Sequence, residues 1–341
     1  MSDCDEALSR SNLTDVLIHL HIRKTGGTSL NSAIKHAFCR HKVFELYAEG
    51  DCKHTALDIA SLEGISKMLT EFGLGRVRYI SGHIPYGVHH LFGTRAKYFT
   101  LVRDPVERII STFFWFRTGR PFCRAGRLLS FEEYVESRAD IYLNNYQVRV
   151  LSGSPELDDD IDRRSGSREL IFGLPVERRH LEQAKRNIAE HFLLAAPLER
   201  LMESALMLRI IYGWPMRRLQ NERKNETQNR PRSRDVSSRV IKIIEDCNVY
   251  DAELYQWIKH RFAAQCAMFE PRLSEDLKSF QRINSILNSF GQFLPYNIRK
   301  QLAEVFLYGQ GNPPHRQHPQ VRQASGLPIG VRQGLAEHSM Q

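Results

Sequence analysis

Paired cysteines, long apolar runs and a basic–aromatic ladder are all missing from this chain of 341 residues. Its six cysteines are scattered and form no C-x-x-C pair, a pattern that argues against a disulfide framework or a zinc site. Such thiols are typical of a cytoplasmic protein. No apolar run of about 18 residues occurs, so the sequence predicts no transmembrane helix. The polar, acidic start Met-Ser-Asp-Cys-Asp-Glu is unlike a signal peptide.

The charge balance is moderately basic. Lysine and arginine number 48 against 39 aspartates and glutamates, which gives a net charge of +9 at pH 7. This surplus suits an anionic ligand or substrate, although ordinary solvated surface gives the same count. Because no basic helix or alternation of aromatic and basic residues accompanies it, the sequence predicts no nucleic-acid partner.

Strand-like and helix-like segments alternate along the chain. Strands are predicted at 15–22, 77–82, 97–102 and 192–196, and helices at 28–39, 58–72, 105–118, 131–139, 178–190, 198–212, 236–245 and 249–268. This alternation predicts an α/β fold, a P-loop-like parallel sheet flanked by helices on both faces, with helical additions. Ligands of such sheets bind at the carboxyl ends of the strands.

Composition changes near the C-terminus. We expect a main domain at 1–275, a helical extension at 276–308 and a disordered tail at 309–341. Apolar residues recur at helical spacing from Phe280 to Leu294, where Pro295 ends the pattern, and the tail is rich in Gln, Gly and Pro. The sequence leaves the oligomeric state open, although helices within 280–306 offer a surface for pairing.

The most informative segment joins the first predicted strand to the first predicted helix. It reads His21-Ile-Arg-Lys24-Thr25-Gly26-Gly27-Thr28-Ser29. Glycines let the backbone approach an anion, and the first N–H groups of a helix have no intrahelical partner, so the segment predicts a phosphate-binding loop. A tight turn without a ligand is the alternative for this motif taken alone.

This loop departs from the Walker A pattern. Its lysine precedes the glycines instead of following them. The sequence also offers no convincing apolar strand that ends in a metal-binding aspartate, which a kinase needs for Mg²⁺. We therefore predict no metal site.

A second polar segment follows the strand at 97–102. Arg103 stands at the strand end, Asp104 is a good N-cap and Pro105 fits the first helical position. Arg103 and Ser111, two turns into the helix, are placed to hold one anionic group beside the loop. Alternatively, Arg103 pairs with a nearby carboxylate and Ser111 belongs to a helix face.

Histidines follow the strand at 77–82. His83 comes directly after it, and a histidine at this edge is suited to take a proton from a hydroxyl because its ordinary pKa is about 6.5. His89 and His90 are rivals for this role, and a purely structural histidine is the plain alternative. A metal site built from these three histidines would lack an acidic ligand.

In their order along the chain these segments resemble the sulfotransferase family, most of all the branch of heparan sulfate 2-O- and 6-O-sulfotransferases and their bacterial relatives. The loop looks like that family's 5′-phosphosulfate-binding loop, and Leu101-Val-Arg-Asp-Pro-Val-Glu-Arg-Ile-Ile-Ser111 like its 3′-phosphate-binding segment. Ser81-Gly-His-Ile-Pro-Tyr-Gly87 resembles the segment that carries the catalytic histidine. The segments 144–153, 192–200 and 225–231 are also similar. Arg23 stands where the family usually has proline, and the chain after about residue 275 has no counterpart.

The resemblance implies that the chain transfers a sulfuryl group from 3′-phosphoadenosine-5′-phosphosulfate (PAPS) to a hydroxyl of a carbohydrate or other hydroxyl-bearing acceptor. Anionic sugars are among the acceptors to consider. Lys24 would act on the oxygen that bridges phosphorus and sulfur, and His83 would be the general base. The resemblance also implies three binding groups: Thr25, Gly26, Gly27, Thr28 and Ser29 for the 5′-phosphate, Arg103, Ser111 and Arg230 for the 3′-phosphate, and Asn144, Gln147 and Arg149 for the acceptor. The alternatives are a P-loop kinase that uses Mg-ATP and a non-catalytic nucleotide- or carbohydrate-binding protein.

Overall fold

The computed structural model describes residues 16–47, 61–119, 121–157, 168–170, 173–216, 219 and 230–289. The chain divides into two compact units, residues 1–284 and 285–341. Every element below lies in the first unit, except for the last turn of the final helix. The predicted tail at 309–341 and the extension beyond residue 289 lie outside the described residues.

The described residues contain two sheets. Their strands are β1 (Val16–Leu20), β2 (Val43–Leu46), β3 (Tyr79–Gly82), β4 (Ala96–Val102), β5 (Phe122–Arg124), β6 (Arg127–Leu128), β7 (Arg168–Glu169) and β8 (Phe192–Pro197). The main sheet has the order β2-β3-β1-β4-β8 with all neighbours parallel, and a small sheet has the order β6-β5-β7. The predicted parallel α/β fold is confirmed.

The helices of the described residues follow the predicted alternation. They are α1 (Gly27–Ile34), α2 (Leu62–Phe72), α3 (Pro105–Phe116), α4 (Phe131–Glu136), α5 (Tyr146–Ser152), α6 (Arg178–His191), α7 (Leu201–Tyr212), α8 (Ser238–Cys247), α9 (Val249–Met268) and α10 (Arg272–Ser289). Five elements are absent from the sequence-based prediction: β2, α5 and the three strands of the small sheet, β5, β6 and β7. Each has two to seven residues, which is too short for periodicity to reveal.

Helices cover both faces of the main sheet, so its strands are buried on both sides. In β1 all five residues are buried. Val16, Ile18 and Leu20 pack into the core shared with α2, α3 and α6, whereas Leu17 packs on the opposite face with α1 and α7. A strand with two buried faces reads as a continuous apolar run, which is the pattern that predicted it.

The start of α3 is fixed by its own sequence. The Asp104 side chain accepts the N–H of Glu107 at 3.1 Å, and Pro105 occupies the first turn, as predicted. This cap sets where Arg103, the residue between β4 and the helix, can point.

None of the helices in the described ranges is long and apolar enough to cross a membrane. The four cysteines that the structure describes, Cys39, Cys123, Cys247 and Cys266, are reduced.

Candidate functional site

The loop between β1 and α1 lies at the carboxyl end of the central strand. Two of its residues adopt left-handed backbone conformations, Lys24 at φ 63° and Gly26 at φ 78°. Glycine accepts this conformation freely, but for lysine it costs about 1–2 kcal/mol. The fold therefore holds Lys24 in a strained conformation, a feature that often marks a functional loop.

The two glycines of the loop have no room for a side chain. A Cβ on Gly26 would lie 2.2 Å from Leu198 Cδ1, and one on Gly27 would lie 2.1 Å from His21 Cδ2. The His21 ring therefore lies directly against Gly27, the first residue of α1. The backbone conformation favours glycine at position 26, and close packing against His21 favours it at position 27.

The start of α1 offers backbone donors to an anion. Gly26 is the N-cap, and its carbonyl accepts the N–H groups of Ser29 and Leu30 at 3.1 and 3.3 Å. The N–H groups of Gly27 and Thr28 belong to the turn that has no intrahelical acceptors. The predicted phosphate site thus has fewer backbone donors than the sequence suggested, because the Ser29 N–H is already bonded to the Gly26 carbonyl.

Thr25 has a structural role in the loop. Its side chain is fully buried, and its hydroxyl donates to the carbonyl of Ile22 at 2.7 Å. This bond closes the turn ahead of the glycines. Thr25 can therefore contribute only backbone groups to a ligand.

Arg103 contacts the loop from the neighbouring strand. It follows β4, and its Nη1 donates to the carbonyl of Lys24 at 3.2 Å. The side chain is 11% exposed, and burial followed by the nearby Arg230 lowers its pKa to about 10. The guanidinium therefore remains charged at neutral pH.

Gln147, which the resemblance implies for acceptor binding, bonds to the backbone of Arg103. Its Oε1 accepts the N–H of Arg103 at 2.9 Å, and its Nε2 donates to the Arg103 carbonyl at 2.8 Å. The Asp251 carboxylate in turn accepts the N–H groups of Gln147 and Val148 at the start of α5. Gln147 is 1% exposed, and its amide bonds to both backbone groups of Arg103, so these contacts support the site; its role in acceptor binding stays a prediction.

Asn144 and Arg149 also make internal bonds. Asn144 Nδ2 donates to the carbonyls of Arg138 and Asp140 at 3.0 Å each. Arg149 is 4% exposed, and its guanidinium donates to the carbonyls of Leu157 and Leu174. The structure gives these side chains structural contacts, and their role in acceptor binding stays a prediction.

Two further predicted residues lie on or beside α3. Ser111 is 3% exposed and stands one turn beyond Glu107 on the same helix. Arg230 reaches the first turn of α3, where its Nη1 lies 2.9 Å from Glu107 Oε2. The resemblance implies that Arg103 and Arg230 share one site, and the structure brings both to the same carboxylate.

The Lys24 side chain rests on an aromatic ring. Its ammonium lies 5.0 Å from the centroid of Trp115, within the range of a cation–π contact. Trp115 is on α3, one turn after Ser111. Sequence reasoning missed this partner, and its signal was the position of the tryptophan on the helix that begins beside Arg103.

His83 contacts the loop from the opposite side. It follows β3, and its Nδ1 lies 2.8 Å from the carbonyl oxygen of His21. A carbonyl only accepts, so Nδ1 carries the proton and Nε2 of the neutral ring has the free lone pair. Burial, and then Arg23, lower the pKa of His83 well below 6.5, so the ring is neutral at pH 7.

A chain of side chains lies beneath His83. His19 Nδ1 lies 3.0 Å from Ser81 Oγ, Ser81 Oγ lies 2.7 Å from the Tyr47 hydroxyl, and that hydroxyl lies 3.2 Å from His21 Nδ1. The rings of His21 and His83 are 4.5 Å apart. We call His19, His21 and His83 the loop histidines. Burial lowers the pKa of His19 to about 3 and that of His21 well below its ordinary value.

The rival histidines lie near the other end of the strands. His89 Nδ1 is 3.1 Å from the hydroxyl of Tyr98, in the first half of β4. Its ring lies 4.1 Å from that of His90 and 4.4 Å from that of His191, the last residue before β8. We call His89, His90 and His191 the amino-edge histidines. Because His89 lies far along the sheet from the carboxyl edge, the geometry favours His83 as the base.

Within the ranges that the structure describes, no group of three or more His, Cys, Asp or Glu side chains is arranged to hold a metal ion. His83 and the amino-edge histidines do not converge.

The chain matches no family model, and no curated protein matches it significantly. The resemblance to sulfotransferases therefore depends on the sequence motifs alone.

Proposed function

We propose that this protein is a PAPS-dependent sulfotransferase that acts on a hydroxyl of a carbohydrate acceptor. One observation supports this more than any other. His83 and Arg103, from the two strands that flank β1, both bond to the backbone of the same loop, at the carbonyls of His21 and Lys24. A base, a phosphate loop and an arginine thus lie side by side at the carboxyl edge, where such sheets bind ligands.

The residues of the site fit a donor that carries two separate phosphates. The left-handed Gly26 and the start of α1 suit the 5′-phosphosulfate, and Arg103 with Arg230 suits a second phosphate beyond Glu107. The second phosphate distinguishes PAPS from ATP. When bound, the donor supplies a sulfuryl group whose bond to the bridging oxygen breaks as a bond to the acceptor oxygen forms.

Lys24 and His83 would act on opposite ends of this transfer. The Lys24 ammonium would leave the Trp115 ring and offset the negative charge that develops on the bridging oxygen. His83 Nε2 would take the proton of the acceptor hydroxyl. The anionic donor beside His83 would raise its lowered pKa toward neutral pH, where a general base works best.

The cellular setting is a smaller part of the proposal. The described cysteines are reduced, which suits a reducing compartment, and we propose a cytoplasmic location.

Calorimetric titration tests the donor site. The purified protein is titrated with adenosine 3′,5′-bisphosphate, with 5′-AMP and with ATP in the presence of Mg²⁺. We expect tight binding that requires the 3′-phosphate. Preference for Mg-ATP would assign the chain to the kinases, and binding of the bisphosphate without turnover of PAPS on any acceptor would indicate a non-catalytic binding protein.

A further inference from the structure

Two arginines from distant parts of the chain meet at one carboxylate oxygen. Glu107 Oε2 lies 3.4 Å from Arg103 Nη2 and 2.9 Å from Arg230 Nη1. Arg103 follows β4, whereas Arg230 precedes the short 3₁₀ helix Ser233–Asp235. Two guanidinium groups brought this close repel each other, so the carboxylate between them is needed to hold the pair.

The second carboxylate oxygen fixes the segment that carries Arg230. Glu107 Oε1 accepts the N–H of Ser233 at 3.2 Å, and Arg230 Nη1 also lies 3.5 Å from the Glu107 carbonyl oxygen. Burial opposes ionisation, but the bonds from Ser233 and Arg230 outweigh it and hold the pKa of Glu107 below its usual value. Glu107 is therefore a carboxylate at neutral pH and joins residues 230–233 to the first turn of α3.

The two arginines keep donors for a ligand. A guanidinium has five N–H donors in a rigid fork, and a single nitrogen of Arg230 makes its bonds to Glu107. Arg103 uses Nη1 for the Lys24 carbonyl and Nη2 for Glu107. Because Arg103 bonds both the loop and Glu107, the pair stays next to the loop.

We propose that Glu107 is a positioning residue for a phosphate monoester: it joins Arg103 and Arg230 into one anion site beside the loop. The inference rests on the proposed function for the identity of that monoester, the 3′-phosphate of the donor. Ligand selectivity is the property that Glu107 controls, since the 5′-phosphate site on the loop does not depend on it.

The test compares Glu107→Ala and Glu107→Gln with the wild type, by calorimetry with adenosine 3′,5′-bisphosphate and with 5′-AMP. We expect Glu107→Ala to reduce the preference for the bisphosphate about tenfold, a change of about 1.4 kcal/mol, and to leave 5′-AMP affinity within about twofold. The preference of Glu107→Gln for the bisphosphate should lie between those of the wild type and of Glu107→Ala, because its amide oxygen still accepts one bond. Should the alanine variant fold poorly, the glutamine variant carries the test.

Glu253 provides a matched control. Its carboxylate, on α9, also joins two cations of α6, Arg178 at 2.7 Å and Lys185 at 2.8 Å. Glu253→Ala should leave the preference for the bisphosphate unchanged.

Three outcomes would overturn the inference. If the wild type prefers the bisphosphate over 5′-AMP and Glu107→Ala keeps the same preference, Glu107 has no positioning role, and the proposed function still stands. Tighter bisphosphate binding by that variant would show that Glu107 competes with the ligand. A wild-type protein that ignores the 3′-phosphate would overturn the inference and the proposed function together.

Discussion

The loop histidines and the amino-edge histidines share one chemistry and differ in how their rings are held. Burial lowers the pKa of His83 in the first group, and it lowers that of His89 in the second to about 4. The Nδ1–H of His83 donates to the carbonyl of His21 in the loop, whereas Nδ1 of His89 faces the Tyr98 hydroxyl. The Nε2 of His89 is buried and has no hydrogen-bond partner among the described residues. A perturbed pKa therefore does not distinguish a base from a core histidine; the position in the sheet does.

Exchange of each histidine for alanine tests this comparison most strongly. We expect His83→Ala to lower kcat for sulfuryl transfer by on the order of 10²-fold or more, while the Kd for adenosine 3′,5′-bisphosphate changes little, because only the base is lost. His89→Ala is the control and should retain turnover. Steady-state kinetics with matched melting curves measure both; loss of turnover in the second variant alone would move the base to His89.

Gly27→Ala tests whether the His21 ring supports the loop. The new Cβ would lie 2.1 Å from His21 Cδ2, so we expect a loss of about 1–3 kcal/mol in the free energy of unfolding, together with weaker bisphosphate binding. Gly75→Ala is the control, since its Cβ would meet no atom within 4 Å. Urea unfolding measures both variants. Equal stability of the two would show that the ring moves aside.

The dependence of stability on pH compares the two groups directly. Folded His19 titrates at about 3 and unfolded histidine at about 6.5, so below pH 6.5 the unfolded chain binds a proton that folded His19 does not. The stabilising contribution of neutral His19 is complete above pH 6.5. Below that pH each such histidine lowers the free energy of unfolding by about 1.4 kcal/mol per pH unit as pH falls.

Phenylalanine variants separate the contributions to that slope. His19→Phe keeps an aromatic ring against Phe99. It should reduce the slope of the free energy of unfolding against pH by about 1.4 kcal/mol per pH unit between pH 6.5 and 5, the contribution of one proton. His89→Phe should do the same down to pH about 4. Urea unfolding across this range gives the slopes, and an unchanged slope in either variant would mean that the ring already titrates as in water.

Substitutions of Lys24 separate backbone strain from charge, and the expected difference in stability is the smallest of those predicted. Lys24→Ala and Lys24→Gly both remove the ammonium and should lower kcat alike. Because φ at this residue is 63°, we expect the glycine variant to be more stable by about 1 kcal/mol. Urea unfolding of the pair decides this, and a more stable alanine variant would show that the left-handed conformation is not retained in solution.

Much of the carboxyl edge followed from local pattern. The buried run of β1, the glycines after it and the Asp104–Pro105 cap are signals carried by adjacent residues, and each element begins close to its predicted position. Gln147 carried no such signal, because its partner Arg103 is 44 residues away in the chain. For Glu107 only the pair with Arg103 has a local signal, the i, i+4 spacing, whereas Arg230 is 123 residues away and no local rule relates the two.

The sequence by itself determined the parallel α/β fold, the loop and the polar residues at the strand ends, because hydrophobic period, glycine and helix caps act over a few residues. Only the tertiary structure decided which histidine lies beside the loop, that Gln147 supports Arg103, and that Glu107 joins two arginines. Those choices depend on strand order and on side-chain contacts between distant segments, which exist only after the sheet has formed.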